Sequence, residues 1–315
     1  MLEGLLGLAG GVLLLALASD SLVKGVSGLA QTLGVRPFVA GMLLVAFGTS
    51  LPELAVNVAA VVRGQPHLAL GNAVGSTLAN LGLTLGVAAL AAPLLLHVRR
   101  LAPLLVLLAV AAFALLAFGL DGVLGRGEGA LLLVGFAAVC AWLLTRTGRE
   151  DADAQASVVA FAATRTGLPL NLLRLAIASA LLWFGARWVV DGGMALGQAW
   201  GLSPLLVGLL PVAIATALPE VAAAVIAARR GQGDMVAGHV VGSSLFNLLF
   251  IVGGMAALQP IALPASFVRL ELPAIVALSL VLYPMLRSGA RVSRGEGVVL
   301  LAAFVGWVLL ELLLL

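Results

Sequence analysis

Two short segments of the chain place a glutamate directly after a proline inside long apolar stretches. They are Gly48-Thr49-Ser50-Leu51-Pro52-Glu53 and Thr216-Ala217-Leu218-Pro219-Glu220. Because proline lacks an N–H, each segment leaves one backbone carbonyl, that of Gly48 or Ala215, without its helical partner, and we expect a helix break at both places. Each segment therefore gathers backbone oxygen atoms and a carboxylate, which are ligands that a hard cation such as Ca²⁺ prefers.

The two glutamates need a partner if these stretches cross a membrane. An acidic side chain at the centre of a bilayer costs about 2.5–3.5 kcal/mol. No Lys or Arg lies near Glu53 or Glu220 within its stretch, and Arg63 and Arg230 follow only ten residues later. We therefore expect a cation or a proton as the partner. Hydrogen bonds to neighbouring backbone groups alone are the alternative.

Each half of the chain also carries three polar side chains spaced four residues apart, on one face of a helix. They are Asn72, Ser76 and Asn80 in the first half and His239, Ser243 and Asn247 in the second. Amide and hydroxyl oxygens are neutral ligands suited to Na⁺ or Ca²⁺, whereas the same residues also mediate packing between membrane helices. Beside the two glutamates, we favour cation binding for Ser76, Asn80, Ser243 and Asn247.

The rest of the chain supplies the helices that must position these residues. Of its 315 residues, 62% are hydrophobic and 10% are charged, against about 25% charged in soluble domains. A membrane-spanning helix needs about 20 mostly apolar residues, so the sequence predicts an all-α integral membrane protein with ten transmembrane helices. The predicted spans are residues 3–19, 38–62, 67–93, 101–118, 129–145, 171–190, 204–228, 235–257, 270–286 and 298–315.

The basic residues predict the orientation of these spans. Thirteen of the 17 Lys and Arg residues fall in loops on one side of the predicted membrane and four on the other. Positive residues favour the cytoplasmic side, so both termini are expected outside. The basic charge is thereby explained by membrane topology, and no nucleic-acid partner is expected.

The chain matches itself at a constant offset of 167, without gaps, from about residue 25 to 86. Since each half holds five spans, an odd number, the second half must cross the membrane in the opposite sense. Inverted repeats of this kind are typical of secondary transporters with a site at the repeat interface. The predicted organisation is a five-helix repeat at 1–145 with its motif at 41–86, a cytoplasmic linker at 146–170, and a second repeat at 171–315 with its motif at 208–253.

The Thr-Ser-Leu-Pro-Glu and Thr-Ala-Leu-Pro-Glu segments, each followed by a Gly-Ser pair and an asparagine (Asn80 and Asn247), resemble the two α-repeats of the calcium/cation antiporter superfamily. The prokaryotic sodium/calcium exchangers are the most similar branch. The resemblance implies an antiporter in a prokaryotic inner membrane, not an enzyme, that exchanges cytoplasmic Ca²⁺ for external Na⁺ by alternating access. It implies no resident cofactor and no obligate protein partner beside the transported cations and the bilayer.

The resemblance also implies roles for single residues. Glu53 and Glu220 are expected to hold Ca²⁺ together with the backbone carbonyls of Thr49 and Thr216. Residues that match the family's sodium ligands are Ser50, Ser76, Asn80 and Ser243. The first and sixth helices are expected to slide across the remaining bundle.

Departures from the family pattern leave the coupling ion open. Ala217 stands where a serine is expected, and His239 replaces the usual asparagine. Two ionised glutamates are neutralised by one Ca²⁺, two Na⁺ or two protons, so Ca²⁺/H⁺ exchange is the alternative. A lipid-pyrophosphate phosphatase would need a nucleophile and a phosphate-binding arginine at the site, and the glutamate segments offer no arginine. A purely structural membrane subunit does not explain two buried carboxylates.

Overall fold

The computed structural model describes residues 1–32, 50–146, 167–287 and 291–314. In this part of the chain nine helices are long and apolar enough to cross a membrane, and Leu51–Val62 is a shorter apolar helix. This is the predicted all-α membrane fold. The helices are α1 (Leu2–Thr32), α2 (Leu51–Val62), α3 (Pro66–Ala91), α4 (Val98–Phe118), α5 (Arg126–Arg146), α6 (Leu168–Trp200), α7 (Pro204–Arg229), α8 (Gly233–Leu258), α9 (Phe267–Glu271 continuing as Leu272–Arg287) and α10 (Arg294–Leu313).

The first and sixth helices are longer than their apolar stretches predict. α1 has 31 residues and α6 has 33. In α1 the charged residues continue the helix, because Lys24 donates a hydrogen bond of 2.6 Å to Asp20 one turn earlier. Such pairs stabilise a helix where it leaves the apolar layer. The beginning of the predicted second span, 38–49, lies outside the described residues.

The expected helix break in the second half is wrong. Pro219 lies inside α7, which continues without interruption to Arg229. The irregularity comes earlier, in a π-helical segment over Gly208–Val212 that contains Pro211. A proline removes one hydrogen bond, and the surrounding bundle can accommodate that loss without ending the helix. In the first half Pro52 lies in the first turn of the described part of α2, and Gly48, whose carbonyl the expected break concerns, lies outside the described residues.

The helices that carry the polar side chains, α3 and α8, are built alike. Each contains a π-helical segment, Ala79–Thr84 in α3 and Phe246–Val252 in α8, and the two begin 167 residues apart. The turns that precede α3 and α8 need glycine, since Gly64 and Gly231 have φ angles of 71° and 74°. The internal repeat of the sequence is thus matched by a repeat of local structure.

Two short strand pairs join the halves of the chain. β1 (Leu94–Leu95) pairs antiparallel with β4 (Arg291–Val292), and β2 (Val123–Leu124) with β3 (Ile261–Ala262). Six described helices, α4 to α9, lie between β1 and β4, and four, α5 to α8, lie between β2 and β3. Each pair therefore joins loops on one side of a ten-helix membrane fold.

α1 and α6 form an antiparallel pair whose contact depends on glycine. A Cβ on Gly11 would lie 2.7 Å from the carbonyl oxygen of Gly185, and one on Gly192 would lie 2.4 Å from the backbone nitrogen of Leu8. Small residues allow membrane helices to approach this closely. The pair packs on α2 and α7 through an apolar cluster separate from the main core of the bundle.

Candidate cation site

Eight of the nine residues predicted to bind a cation lie in the described part of the chain, and all eight are buried. They belong to α3, α7, α8 and the start of α2, so four helices contribute to one region of the bundle. The eight are Ser50, Glu53, Ser76, Asn80, Thr216, Glu220, Ser243 and Asn247. The ninth, Thr49, lies outside the described residues.

The carboxyl groups of Glu53 and Glu220 lie close enough to interact electrostatically with one another. Their side chains are 1% and 6% exposed. On both residues Oε2 is buried and has no hydrogen-bond partner. Two neighbouring ionised carboxylates repel each other strongly in a medium of low dielectric. The pair therefore requires a proton or a cation between its oxygens.

A hydrogen-bonded group of polar side chains links the two halves. Ser50 Oγ donates to Ser243 Oγ at 2.7 Å, and Asn80 Nδ2 donates to the same oxygen at 3.1 Å. The structure thus brings together three residues that are far apart in the sequence. Since its amide nitrogen is used in this contact, Asn80 keeps its amide oxygen available for another partner.

Four residues of the predicted site each have a buried oxygen atom without a hydrogen-bond donor. The amide oxygens of Asn80 and Asn247 have no hydrogen-bond partner, as is also true of one oxygen on each glutamate. The π-helical segment with Asn80 packs against α7, and the one with Asn247 packs against α2. A buried polar atom without a partner is costly. A hard cation could bind these oxygen atoms, which come from four helices and would serve together as its ligands.

Ser76 and Thr216 are oriented differently. Ser76 Oγ donates to Asn72 Oδ1 at 3.4 Å, and Asn72 Nδ2 in turn donates to Asn57 Oδ1 at 3.3 Å. The hydroxyl of Thr216 points back to the carbonyl oxygens of Val212 and Ala213, so its side chain is satisfied within α7. Sequence reasoning missed Asn57, although an amide one turn after a buried glutamate in an apolar helix is itself a signal.

A cavity of about 210 Å³ reaches Glu220 from one side. It runs along α7 from Thr216 to Ala227, toward the turn between α7 and α8, and α1 forms the opposite wall. Most of its lining is apolar, and His239 and Glu220 are the titratable side chains among the described residues that line it. A path from this end of the bundle to the paired carboxyl groups is therefore partly formed.

The turn between α2 and α3 is fastened to α6. Arg63 forms an ion pair with Asp191 and donates a second hydrogen bond to the carbonyl oxygen of Arg187 at 3.1 Å. Glu53 lies on this helix and is not among the residues that line the cavity. The site is thus approached beside α7 and covered beside α2.

Comparison with known proteins identifies the family. The profile of the family described as "Sodium/calcium exchanger protein" matches residues 3–145 and 170–313. The inner membrane protein YrbG of Escherichia coli is 35% identical over 310 residues, covering 94% of this chain and 93% of YrbG. The sodium/calcium exchanger MaX1 of Methanosarcina acetivorans is 28% identical, covering 94% of this chain and 95% of MaX1.

A solved structure of the sodium-calcium exchanger NCX_Mj, soaked with Na⁺ and Sr²⁺, resembles this fold. Its TM-score is 0.67 at 28% identity, and the match covers 96% of each chain. Because the family profile and these matches extend over both halves of the chain, this protein belongs to the sodium/calcium exchanger family and is a membrane antiporter of cations.

Proposed function

We propose that this antiporter exchanges Ca²⁺ for Na⁺ and that Glu53 and Glu220 are its central cation-binding carboxylates. The observation that carries the proposal is the buried pair of interacting carboxyl groups in a bundle whose neighbouring helices also carry amide oxygens without donors. Support comes from the relatives MaX1 and NCX_Mj, each named as a sodium/calcium exchanger.

The proposed ligand set combines charged and neutral oxygens. Ca²⁺ takes six to eight oxygen ligands at about 2.3–2.6 Å, and the two carboxylates supply the charge. The neutral ligands in the proposal are the amide oxygens of Asn80 and Asn247, the hydroxyls of Ser50, Ser76 and Ser243, and the backbone carbonyls of Thr49 and Thr216. One Ca²⁺ or two monovalent cations neutralise the same pair. Competition for these carboxylates couples the two ion flows.

The proposed transport step is a movement of α1 and α6 across the other helices. The glycine contacts keep these two helices together, and they meet α2 and α7 through an apolar cluster, with the Arg63–Asp191 ion pair at the end of α2. In one conformation the carboxyl groups communicate with the cavity beside α7. In the other conformation the carboxyl groups would communicate with the opposite side of the membrane, where the α2–α3 turn lies.

We further propose that the protein lies in the inner membrane of a prokaryote with both termini outside. The relative YrbG is named an inner membrane protein, and the arginine-rich loops favour the cytoplasm. The segment 146–170 is then a cytoplasmic linker between two five-helix repeats, and the cavity beside α7 opens toward the cytoplasm.

Proton coupling is a second candidate. It is favoured by Ala217, which supplies no hydroxyl where Ser50 supplies one in the first half, and by His239 in the cavity wall beside Glu220. Loss of a neutral oxygen ligand weakens a Na⁺ site but does not affect protonation of a carboxylate.

Reconstitution in lipid vesicles distinguishes the two candidates. Vesicles loaded with Na⁺ and diluted into choline buffer at equal pH should take up ⁴⁵Ca²⁺, and collapse of the Na⁺ gradient should stop uptake. Uptake that ignores Na⁺ but follows an imposed pH gradient would establish proton exchange instead. If neither gradient drives uptake by protein of verified orientation and folding, the proposal of Ca²⁺ antiport is wrong.

A further inference from the structure

The two halves of the molecule differ at one pair of equivalent interfaces. Ala60 of α2 and Ala186 of α6 belong to one packed apolar cluster. The offset of 167 residues, continued back along α1 and α6 from residue 25, places Ala227 and Ser19 at the same positions of the other half. These two residues line the cavity between α7 and α1. One interface is therefore closed and its counterpart is open.

An ion pair spans the closed interface. Arg63 at the end of α2 pairs with Asp191 of α6 and also donates to the carbonyl oxygen of Arg187. The guanidinium of Arg187 lies 5.5 Å from the ring centroid of Trp183, one turn earlier. Asp191 is thus engaged by the arginine of the neighbouring helix, across the contact between α2 and α6.

The equivalent positions at the open interface carry two basic residues. Under the repeat offset Arg230 corresponds to Arg63, whereas Lys24 corresponds to Asp191. Lys24 is paired with Asp20 on its own helix at 2.6 Å. Arg230 forms no ion pair with another residue of the described part of the chain. Closing the α1–α7 interface in the same manner would bring Arg230 toward Lys24, whose charge is already balanced by Asp20, so the attraction of the Arg63–Asp191 pair has no counterpart there.

We propose that these four residues bias the alternating-access equilibrium of the exchanger. Attraction between Arg63 and Asp191 stabilises closure beside α2, whereas Lys24, already paired with Asp20, gives Arg230 no comparable attraction beside α7. This difference favours the conformation in which the site is open through the cavity. The residues are positioning residues, since they act through the movement of α1 and α6 and do not touch the transported cation.

The size of the bias follows from exposure. The side chains of Arg63 and Asp191 are 23% and 62% exposed, so solvent screens their attraction. Exposed ion pairs of this kind change an equilibrium by about two- to fivefold. The role in transport rests on the proposed exchange function, but the bias itself is a property of the conformational equilibrium and is measurable without transport.

Two single cysteines related by the repeat report the two conformations. In a Cys140→Ser background, Ala60→Cys tests access beside α2, and Ala227→Cys tests access beside α7. Each is labelled with a membrane-impermeant maleimide from its own side of oriented vesicles. The ratio of the two labelling rates follows the equilibrium between the conformations.

We expect Asp191→Asn to raise the labelling ratio of Ala60→Cys to Ala227→Cys by about two- to fivefold, and Lys24→Asp to raise it further by creating an attractive pair with Arg230. The exchanged pair Arg63→Asp with Asp191→Arg should restore the original ratio. Glu3→Gln, an exposed charge change elsewhere on α1, should leave it unchanged.

An unchanged ratio in Asp191→Asn would overturn the proposal. So would a raised ratio that the exchanged pair does not restore, because the effect would then not arise from the ion pair. If the ratio responds as expected while vesicles show no Ca²⁺ exchange, the conformational bias stands and the proposed cation exchange fails.

Discussion

At the scale of single residues, chemistry at the site depends on oxygen atoms that the protein itself leaves without donors. The sequence predicted Glu53, Glu220 and the asparagines from their spacing, and the structure buries all four. The sequence pattern did not predict Asn57, because this asparagine is not repeated in the second half, where the equivalent residue is Ala224. Nor could spacing show that the hydroxyl of Thr216 is used within its own helix.

Asn247 provides a direct test of a neutral ligand. Asn247→Ala should raise the apparent KM for Ca²⁺ about tenfold, since one oxygen ligand contributes about 1.4 kcal/mol to cation binding. The measurement is the Ca²⁺ dependence of ⁴⁵Ca²⁺ uptake. Thr84→Val is the matched control, because Thr84 is also buried in a π-helical segment with an unpartnered oxygen. Similar changes in both variants would argue against a ligand role for Asn247.

Ala217 is the position at which the choice of monovalent ion can be changed. Ala217→Ser restores a hydroxyl beside Thr216 and should increase Na⁺-driven Ca²⁺ uptake relative to uptake driven by a pH gradient. The physical reason is that a hydroxyl oxygen is a ligand for Na⁺ but not for a proton held by a carboxylate. The ratio of the two uptake rates is the measurement, and a constant ratio would mean that position 217 does not contact the monovalent ion.

At the scale of helices, the ten apolar stretches were predictable but several ends were not. α1 continues past its apolar part because Asp20 and Lys24 pair along the helix. The π-helical segments that hold Asn80 and Asn247 have no distinct sequence pattern, since they depend on packing between helices. The sequence also repeats a four-residue motif at the start of α5 and α10, Arg126-Gly127-Glu128-Gly129 and Arg294-Gly295-Glu296-Gly297. In both copies the glutamate, Glu128 or Glu296, accepts a hydrogen bond from a backbone N–H at 2.7 Å.

The close contact between α1 and α6 predicts sensitivity to very small substitutions. Gly192→Ala would place a Cβ 2.4 Å from the backbone nitrogen of Leu8, so the helices must separate and the melting temperature in detergent should fall by several degrees. Gly306→Ala on α10 meets no atom within 4 Å and is the control. Equal melting temperatures for the two variants would contradict the importance of this contact.

At the scale of the whole molecule, inverted repetition explains how one sequence pattern makes a single site. Each half contributes a threonine, a glutamate, the serine of its Gly-Ser pair and an asparagine to the proposed site, and the first half adds Ser50. The antiparallel strand pairs hold loops of opposite halves together. The halves share the same motifs but differ in packing, because the contact that is closed beside α2 is open beside α7. The repeat pattern in the sequence does not show which of the two interfaces is open; only the folded structure shows it.

Equilibrium binding of ⁴⁵Ca²⁺ to the purified protein tests the paired-carboxylate site most directly. We expect saturable binding of one Ca²⁺ per chain that is displaced by the coupling ion, and loss of binding in both Glu53→Gln and Glu220→Gln. Glu311→Gln removes a buried carboxyl group that accepts a hydrogen bond from Trp307, and it should bind as the wild type does. Ca²⁺ binding that survives in both Glu53→Gln and Glu220→Gln would contradict the assignment of this pair as the cation site.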